Sequence, residues 1–258
     1  MIKLMIKKLI VAVCLMSPIA WTQSAIAPPQ LGFVEDGAHT LRPAFGVAGN
    51  FILGPAVVKN ILSEAFSGAL GLLKTDSSLA AFDSQGKLLA SVDAAPGPAF
   101  FAFSSAGAMA LAYIASSNAL IEWSGSSFVP IPLHISDTVV SIAFPAPSTA
   151  SLLIQRGETV WRLNFPLGTS GASSQNALIG LHPPVLALPS GDVVYRDTGG
   201  IVIRKTDATE VHVAASLPAS FSLQQMNLDW VQLSDLNSSR RFAIRATAGR
   251  EAFYQLPE

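Results

Sequence analysis

The groups in this chain that could bind a metal or move a proton are few and scattered. There are four histidines, His39, His134, His182 and His212, and no two stand within hairpin or helical-turn spacing of each other. A zinc site gathers three or four His, Cys or carboxylate donors, so only the fold could assemble one here. The aspartates Asp76, Asp83, Asp93, Asp137, Asp192, Asp197, Asp229 and Asp235 stand singly. Calcium needs several oxygen ligands in a compact loop, and no Asp-x-Asp-x-Asp run supplies them. Neither a metal nor a cofactor is expected. Asp83-Ser-Gln-Gly-Lys87 reads instead as a strand-connecting turn, with Asp accepting backbone hydrogen bonds and Gly supplying a positive φ. Glycoside hydrolysis needs two positioned carboxylates. Glu35, Glu122 and Glu158 lie in or beside three hairpins, and nothing in the sequence pairs them. A nucleophile elbow is missing, since Gly168-Thr-Ser-Gly171 has the wrong spacing. Neither a phosphate-binding glycine loop nor a His-Glu-x-x-His motif occurs.

Eight arginines, Arg156, Arg162, Arg196, Arg204, Arg240, Arg241, Arg245 and Arg250, concentrate in the C-terminal half. Such a cluster could hold a carboxylate or phosphate, although alternating positions on exposed outer strands account for it more simply. Trp123, Trp161 and Trp230 fall at strand ends. There they would pack a core or, alternatively, offer a stacking platform for a sugar or peptide.

The elements that must position these residues recur. Leu111–Trp123 and Leu152–Phe165 each hold a β-prone run, a short polar turn, and a second β-prone run ending in an aromatic. The pattern also fits Leu31–Phe45, Leu70–Phe82, Asp192–Lys205 and Phe242–Tyr254. Their starting residues are separated by 39, 41, 41, 40 and 50 positions. A near-constant step of about 40 with strand-like content is the signature of propeller blades. A preceding strand is read at Ala99–Phe103, Val139–Phe144 and Val185–Leu188, and an outer one at Lys87–Asp93 and Phe128–Leu133. Each blade is then a four-stranded antiparallel meander. The continuous apolar character of Leu111–Ala115 and Leu152–Ile154 fits strands packed on both faces by neighbouring blades. Val57–Phe66 reads as a short helix, with Val57, Ile61, Leu62 and Ala65 on one face.

Phe101-Ala-Phe-Ser-Ser-Ala-Gly-Ala-Met-Ala-Leu-Ala-Tyr113 resembles the WD40-like repeats of periplasmic TolB-type propellers. Those repeats run from a hydrophobic strand through a Ser-Pro-Asp-Gly turn into a strand ending near Ala-Tyr. Here Ser105 and Ala106 stand at the Pro and Asp positions, and Ile142–Ser148 lacks the Asp and Gly. Leu31–Gly54 is also similar to the start of secreted propeller-like proteins of uncharacterised activity. The resemblance implies the fold and not a function. The expected fold is all-β, a β-propeller of six blades or, if the first hairpin completes the last unit, of five. The first unit lacks a leading strand and the last an outer strand after Tyr254, so one blade built from both termini would tie the ring.

Residues 1–27 stand apart. Lys3, Lys7 and Lys8 precede the apolar run Leu9–Met16, and small residues follow at Ser24, Ala25 and Ala27. This is the pattern of a secretory signal peptide, leaving residues 28–258 as the propeller domain. Cleavage could fall after Ser24, Ala25 or Ala27. The sole cysteine, Cys14, lies inside the leader. Removing the leader leaves 13 basic residues against 17 acidic ones, a net charge of about −4. Phosphate backbones are neutralised by basic patches, so nucleic acid is not an expected partner. Ala94–Ile121 is uncharged but broken every few residues by Pro, Gly, Ser or Asn. It is read as strands, and no transmembrane span is expected in the mature chain.

In a propeller the middle-hairpin tips and the joins between blades share one face. That face is expected to gather Asp36, Asp76, Asn118, His134, Arg156, Glu158, His182, Asp197 and Arg250. The functional expectation is an exported binding or scaffold protein without catalysis, periplasmic or extracellular, with a protein or small-molecule partner. The alternative is a propeller hydrolase or lyase acting on a carbohydrate or lactone. Three or more acidic or histidine side chains converging at the channel mouth would favour that alternative.

Overall fold

The computed structural model describes residues 30–36, 38–47, 50–67, 70–84, 86–132, 135–146, 148–167, 174–226 and 229–256. The proposed leader lies outside them. The chain is a six-bladed β-propeller, and every described strand pairing is antiparallel within one contiguous stretch of chain. Blade 1 holds β1 (Gln30–Glu35), β2 (Thr40–Val47), β3 (Asn50–Leu53) and β4 (Val58–Lys59). Blade 2 holds β5 (Ser63–Phe66), β6 (Leu70–Lys74), β7 (Ser78–Asp83) and β8 (Leu88–Asp93). Blade 3 holds β9 (Ala99–Phe103), β10 (Ala110–Ile114), β11 (Ala119–Trp123) and β12 (Phe128–Ile131). Blade 4 holds β13 (Thr138–Ala146), β14 (Thr149–Arg156), β15 (Thr159–Pro166) and β16 (Ser174–Leu178). Blade 5 holds β17 (Val185–Ala187), β18 (Val193–Arg196), β19 (Gly200–Arg204) and β20 (Glu210–Ala214). Blade 6 holds β21 (Phe221–Gln225), β22 (Trp230–Asp235), β23 (Arg241–Arg245) and β24 (Ala252–Gln255).

The second strand of a blade is covered on both faces, so apolar residues occupy both. All five residues of β6 and of β10 are buried. Outer strands have no blade beyond them, and β16 is exposed along nearly its whole length. Leu111, Tyr113, Leu120, Ile142, Phe144, Leu152 and Ile154 fill the junction of blades 3 and 4. Two hydroxyls tie neighbouring inner strands: Ser63 Oγ accepts from the Ala99 amide at 2.8 Å, and Ser141 Oγ accepts from the Ala187 amide at 2.9 Å.

Blade 1 departs from the plan. Its β1–β2 turn sits beside the join into blade 2, where the Ile61 amide donates to the His39 carbonyl at 3.1 Å. This is the end that carries middle-hairpin tips in the other blades. β1 and β2 are therefore second and third strands, and β3 and β4 are two pieces of one broken outer strand, both paired with β2. Among the described residues this blade has no inner strand, and the residues that precede β1 lie outside them. Among the described residues the hub is formed by β5, β9, β13, β17 and β21, with β21 returning to touch β5.

Three sequence expectations are corrected. Val57–Phe66 is extended, not helical: β4 and β5 occupy it, and Val57 and Leu62 are exposed while Ile61 and Ala65 are buried. Phe242–Tyr254 is the third and fourth strands of blade 6 rather than its middle hairpin, so the outer strand thought missing is β24 itself. No described blade draws strands from both termini. Ala94–Ile121 forms β9, β10 and the start of β11. Among the described residues, no helix is long and apolar enough to cross a membrane.

Candidate functional site

The upper rim, where middle-hairpin tips meet the joins between blades, brings together most of the residues singled out in the sequence. Asp36, Asp76, Asn118, Arg156, Glu158 and Asp197 lie at tips on this rim, and His182 lies in the join from blade 4 to blade 5. His134 falls outside the described residues. Arg250 is on the opposite rim, because the turn from β23 to β24 connects third and fourth strands.

Two tips are fastened to one join. After β10, a 3-10 turn (Ala115–Ser117) ends on Asn118, which takes the left-handed conformation with φ of 50°. Asn118 Oδ1 accepts from Tyr113 Oη at 3.0 Å, and Asn118 Nδ2 donates to the Ile135 carbonyl at 2.7 Å. Two residues along that join, Asp137 pairs with Arg156 of the next tip at 2.7 Å. The Arg156 hydrogen bond and charge hold the Asp137 carboxyl below its ordinary range. Arg156 also lies 5.3 Å from the Trp161 ring. Gly157, with φ of 61°, supplies the positive dihedral at the first position of the two-residue β14–β15 turn. Glu158, which follows it, is exposed.

The remaining rim residues have local partners. Asp36 pairs with Arg42 at 2.5 Å and accepts from the Ala38 and Thr40 amides. Burial raises its carboxyl, but the bonds from Thr40, Arg42 and Ala38 outweigh that and hold it well below the carboxylate range. Asp197 accepts from the Gly199 amide at 2.7 Å and lies 3.1 Å from His212 Nδ1. No group of three or more His, Cys, Asp or Glu residues able to hold a metal occurs among the described residues.

The arginines are not on outer strands. Arg156, Arg162, Arg196, Arg204, Arg241 and Arg245 all sit on second or third strands, and Arg196, Arg204 and Arg245 lie over the rings of Phe221, Tyr195 and Trp230. Trp123 is core, 2% exposed in the junction of blades 2 and 3.

Sequence reasoning missed a cleft on the lower rim between blades 4 and 5. It has a volume of about 450 Å³, and its lining includes Pro145, Ser151, Arg162, Asn164, Leu188 and Thr206. Ser151 and Asn164 face each other across β14 and β15, on the side turned toward blade 5. Arg162 Nη2 donates to the Gly191 carbonyl at 2.8 Å. Burial pushes its guanidinium below its ordinary pKa, and the charge of Asp192 partly offsets this. The only sequence signal was three polar residues on strands whose neighbours are core.

No protein-family model matches this chain, and no curated protein matches it. Solved structures do. A chain of Kuenenia stuttgartiensis hydrazine synthase aligns at a TM-score of 0.52 and 12% identity, covering 88% of this chain and 80% of that one. A chain of a nidogen/laminin complex aligns at 0.58 and 10%, covering 87% and 92%. TolB from Acinetobacter baumannii aligns at 0.54 and 15%, covering 87% of this chain and 61% of TolB. The likeness is one of fold. At these identities the propeller is shared, and the residues on its rims are this chain's own.

Proposed function

We propose that this chain is an exported, non-catalytic binding or scaffold propeller, acting in the periplasm or outside the cell, and that a protein partner docks on its upper rim. The observation that carries this reading is the fastening of two blade tips to one join, through Asn118 with Ile135 and Arg156 with Asp137. Such bonds order a surface before it meets a partner, which lowers the entropic cost of association. Exposed surface ion pairs add little to folding stability, so their larger effect is on the shape and charge that the rim presents. Export rests on the basic, apolar and small-residue pattern of residues 1–27, with residues 28–258 forming the propeller domain.

Site-specific photo-crosslinking in the exporting cell tests the reading. A crosslinker placed at Asp76 or Glu158 should trap a discrete partner, and one placed at Arg250 on the lower rim should not. Arg156→Glu combined with Asp197→Lys should reduce the crosslinked product at least tenfold without changing the amount of folded protein. Equal trapping from both rims, or trapping unchanged by the charge reversals, would remove the upper rim as the docking surface.

A further inference from the structure

Arg162 is a half-buried cation without a direct ion pair, stabilised at a distance by the charge of Asp192. Among the described residues no carboxylate lies within 4.0 Å of it, and its single hydrogen bond goes to the Gly191 carbonyl. Its Nε is buried without a hydrogen-bond partner, and so is Ser151 Oγ, on a residue only 4% exposed. Both line the same cleft. Buried polar groups are nearly always bonded, and an exception calls for a reason. Here two unpartnered polar groups lie just beneath the wall of one concavity, on neighbouring strands whose residues line it, and its size is in the range of small-molecule sites.

We propose that the cleft between blades 4 and 5 is a binding site for a small hydroxylated carboxylate of the uronic-acid class, with the carboxylate received by Arg162 and Ser151. The charge balance favours a carboxylate over phosphate. Asp192, the acidic group nearest in influence, is held by Lys205 at 3.5 Å and by the Thr206 amide at 3.1 Å. Lys205 is shared with Glu251, also at 3.5 Å. The cleft therefore offers one cation without an ion-pair partner, with the Asp192 charge acting on it from a distance. That suits a single negative charge, whereas a phosphate dianion is usually met by a second cation or a nest of amides. The rest of the wall mixes polar and apolar residues, as the faces of a sugar ring do: Asn164, whose amide donates to Ser174 Oγ at 3.0 Å, and Thr206 on one hand, Pro145 and Leu188 on the other. Blade packing creates the space. The same end of the junction between blades 2 and 3 is filled by Phe103 and Trp123, and here small and polar residues take that place. The site is on the rim opposite the proposed docking surface, so neither proposal depends on the other.

Titration calorimetry of the full chain with glucuronate, glucose and inorganic phosphate tests it. Glucuronate should bind at least tenfold more tightly than glucose, and phosphate should not displace it at equal concentration. Arg162→Met should weaken glucuronate binding at least tenfold, Arg162→Lys less, and Ser151→Ala several-fold, all with the far-ultraviolet circular dichroism of a folded β protein. Ser151→Ala creates no cavity larger than an oxygen, so it still reads out the site if Arg162→Met does not fold. Glucose binding as tightly as glucuronate would overturn the carboxylate assignment. Phosphate displacing glucuronate would reassign the cleft to phosphate. Heat-silent titrations with all three probes, or a folded Arg162→Met with unchanged affinity, would overturn the site.

Discussion

The junction between blades 3 and 4 and the seam made by blade 1 are two answers to the same packing problem. In the first, twelve buried hydrophobic residues from two complete blades interlock, among them Phe144, Leu152 and Ile154, each 0% exposed. At the seam, the described residues provide five such residues toward blade 2 and three toward blade 6. Blade 1 has no described inner strand, so β5 and β21 meet each other instead. Around that meeting, Glu64, Gln225 and Gln232 are buried, and Gln225 Nε2 has no hydrogen-bond partner. The stability of stacked repeats is approximately a sum of the repeats' own contributions and those of their nearest-neighbour junctions, so junctions of unequal packing contribute unequally. The lesson is that, among the described residues, the arc from blade 3 to blade 4 is held by continuous apolar packing, whereas the meeting of β5 and β21 brings buried polar groups together.

The comparison can be broken at either end. Phe144→Ala should cost the most, about 3–5 kcal/mol, and should do so globally, since the surrounding core belongs to two blades at once. Thermal unfolding should stay a single transition at a lower midpoint. Phe33→Ala acts at the seam, where its ring stacks on Phe66 with centroids 4.6 Å apart. A loss of about 3 kcal/mol is expected, and hydrogen exchange should show it locally. Amides of β1 and β2 should lose protection while those of β10 and β14 keep theirs, as separate opening of a weaker unit requires. If both substitutions lowered protection equally around the ring, the two regions would be one cooperative unit and the contrast would fail.

The sequence revealed the arc better than the seam, for physical reasons. Around Leu70, Leu111, Leu152 and Asp192, an apolar second strand, a polar turn and an apolar third strand follow one another, because both strands are covered on both faces. In blade 6 that signal inverts. Its second strand, Trp230–Asp235, carries Gln232, Ser234 and Asp235, whereas its outer strand carries Phe253 and Tyr254. From sequence alone the hairpin therefore falls one strand too late, which gives the odd step of 50 and places Arg250 on the wrong rim. The cleft was hidden for a different reason. Ser151, Arg162 and Asn164 are ordinary strand positions when read alone. Only the stacking of blade 5 against β14 and β15 turns them toward a common space.

The smallest expected effect comes from the turn that anchors blade 1, and it sharpens the comparison by pH. Asp36 joins the Ala38 and Thr40 amides and the Arg42 guanidinium in one contact. Asp36→Ala removes that contact and leaves the amides near the surface, at a cost of about 1 kcal/mol at neutral pH. The folded carboxyl titrates well below the unfolded value of 3.8. Its stabilisation is therefore complete above about pH 4 and fades as pH falls toward the folded value, where both states are protonated. The gap between wild type and Asp36→Ala should accordingly be constant from pH 7 to about 5 and narrow below pH 4. Exchange protection of β1 and β2 should track it, with blades 3 and 4 unaffected. A gap that held its full size down to pH 2.5 would mean that the aspartate acts through shape alone, and the electrostatic part of the seam's closure would have to be sought at other residues.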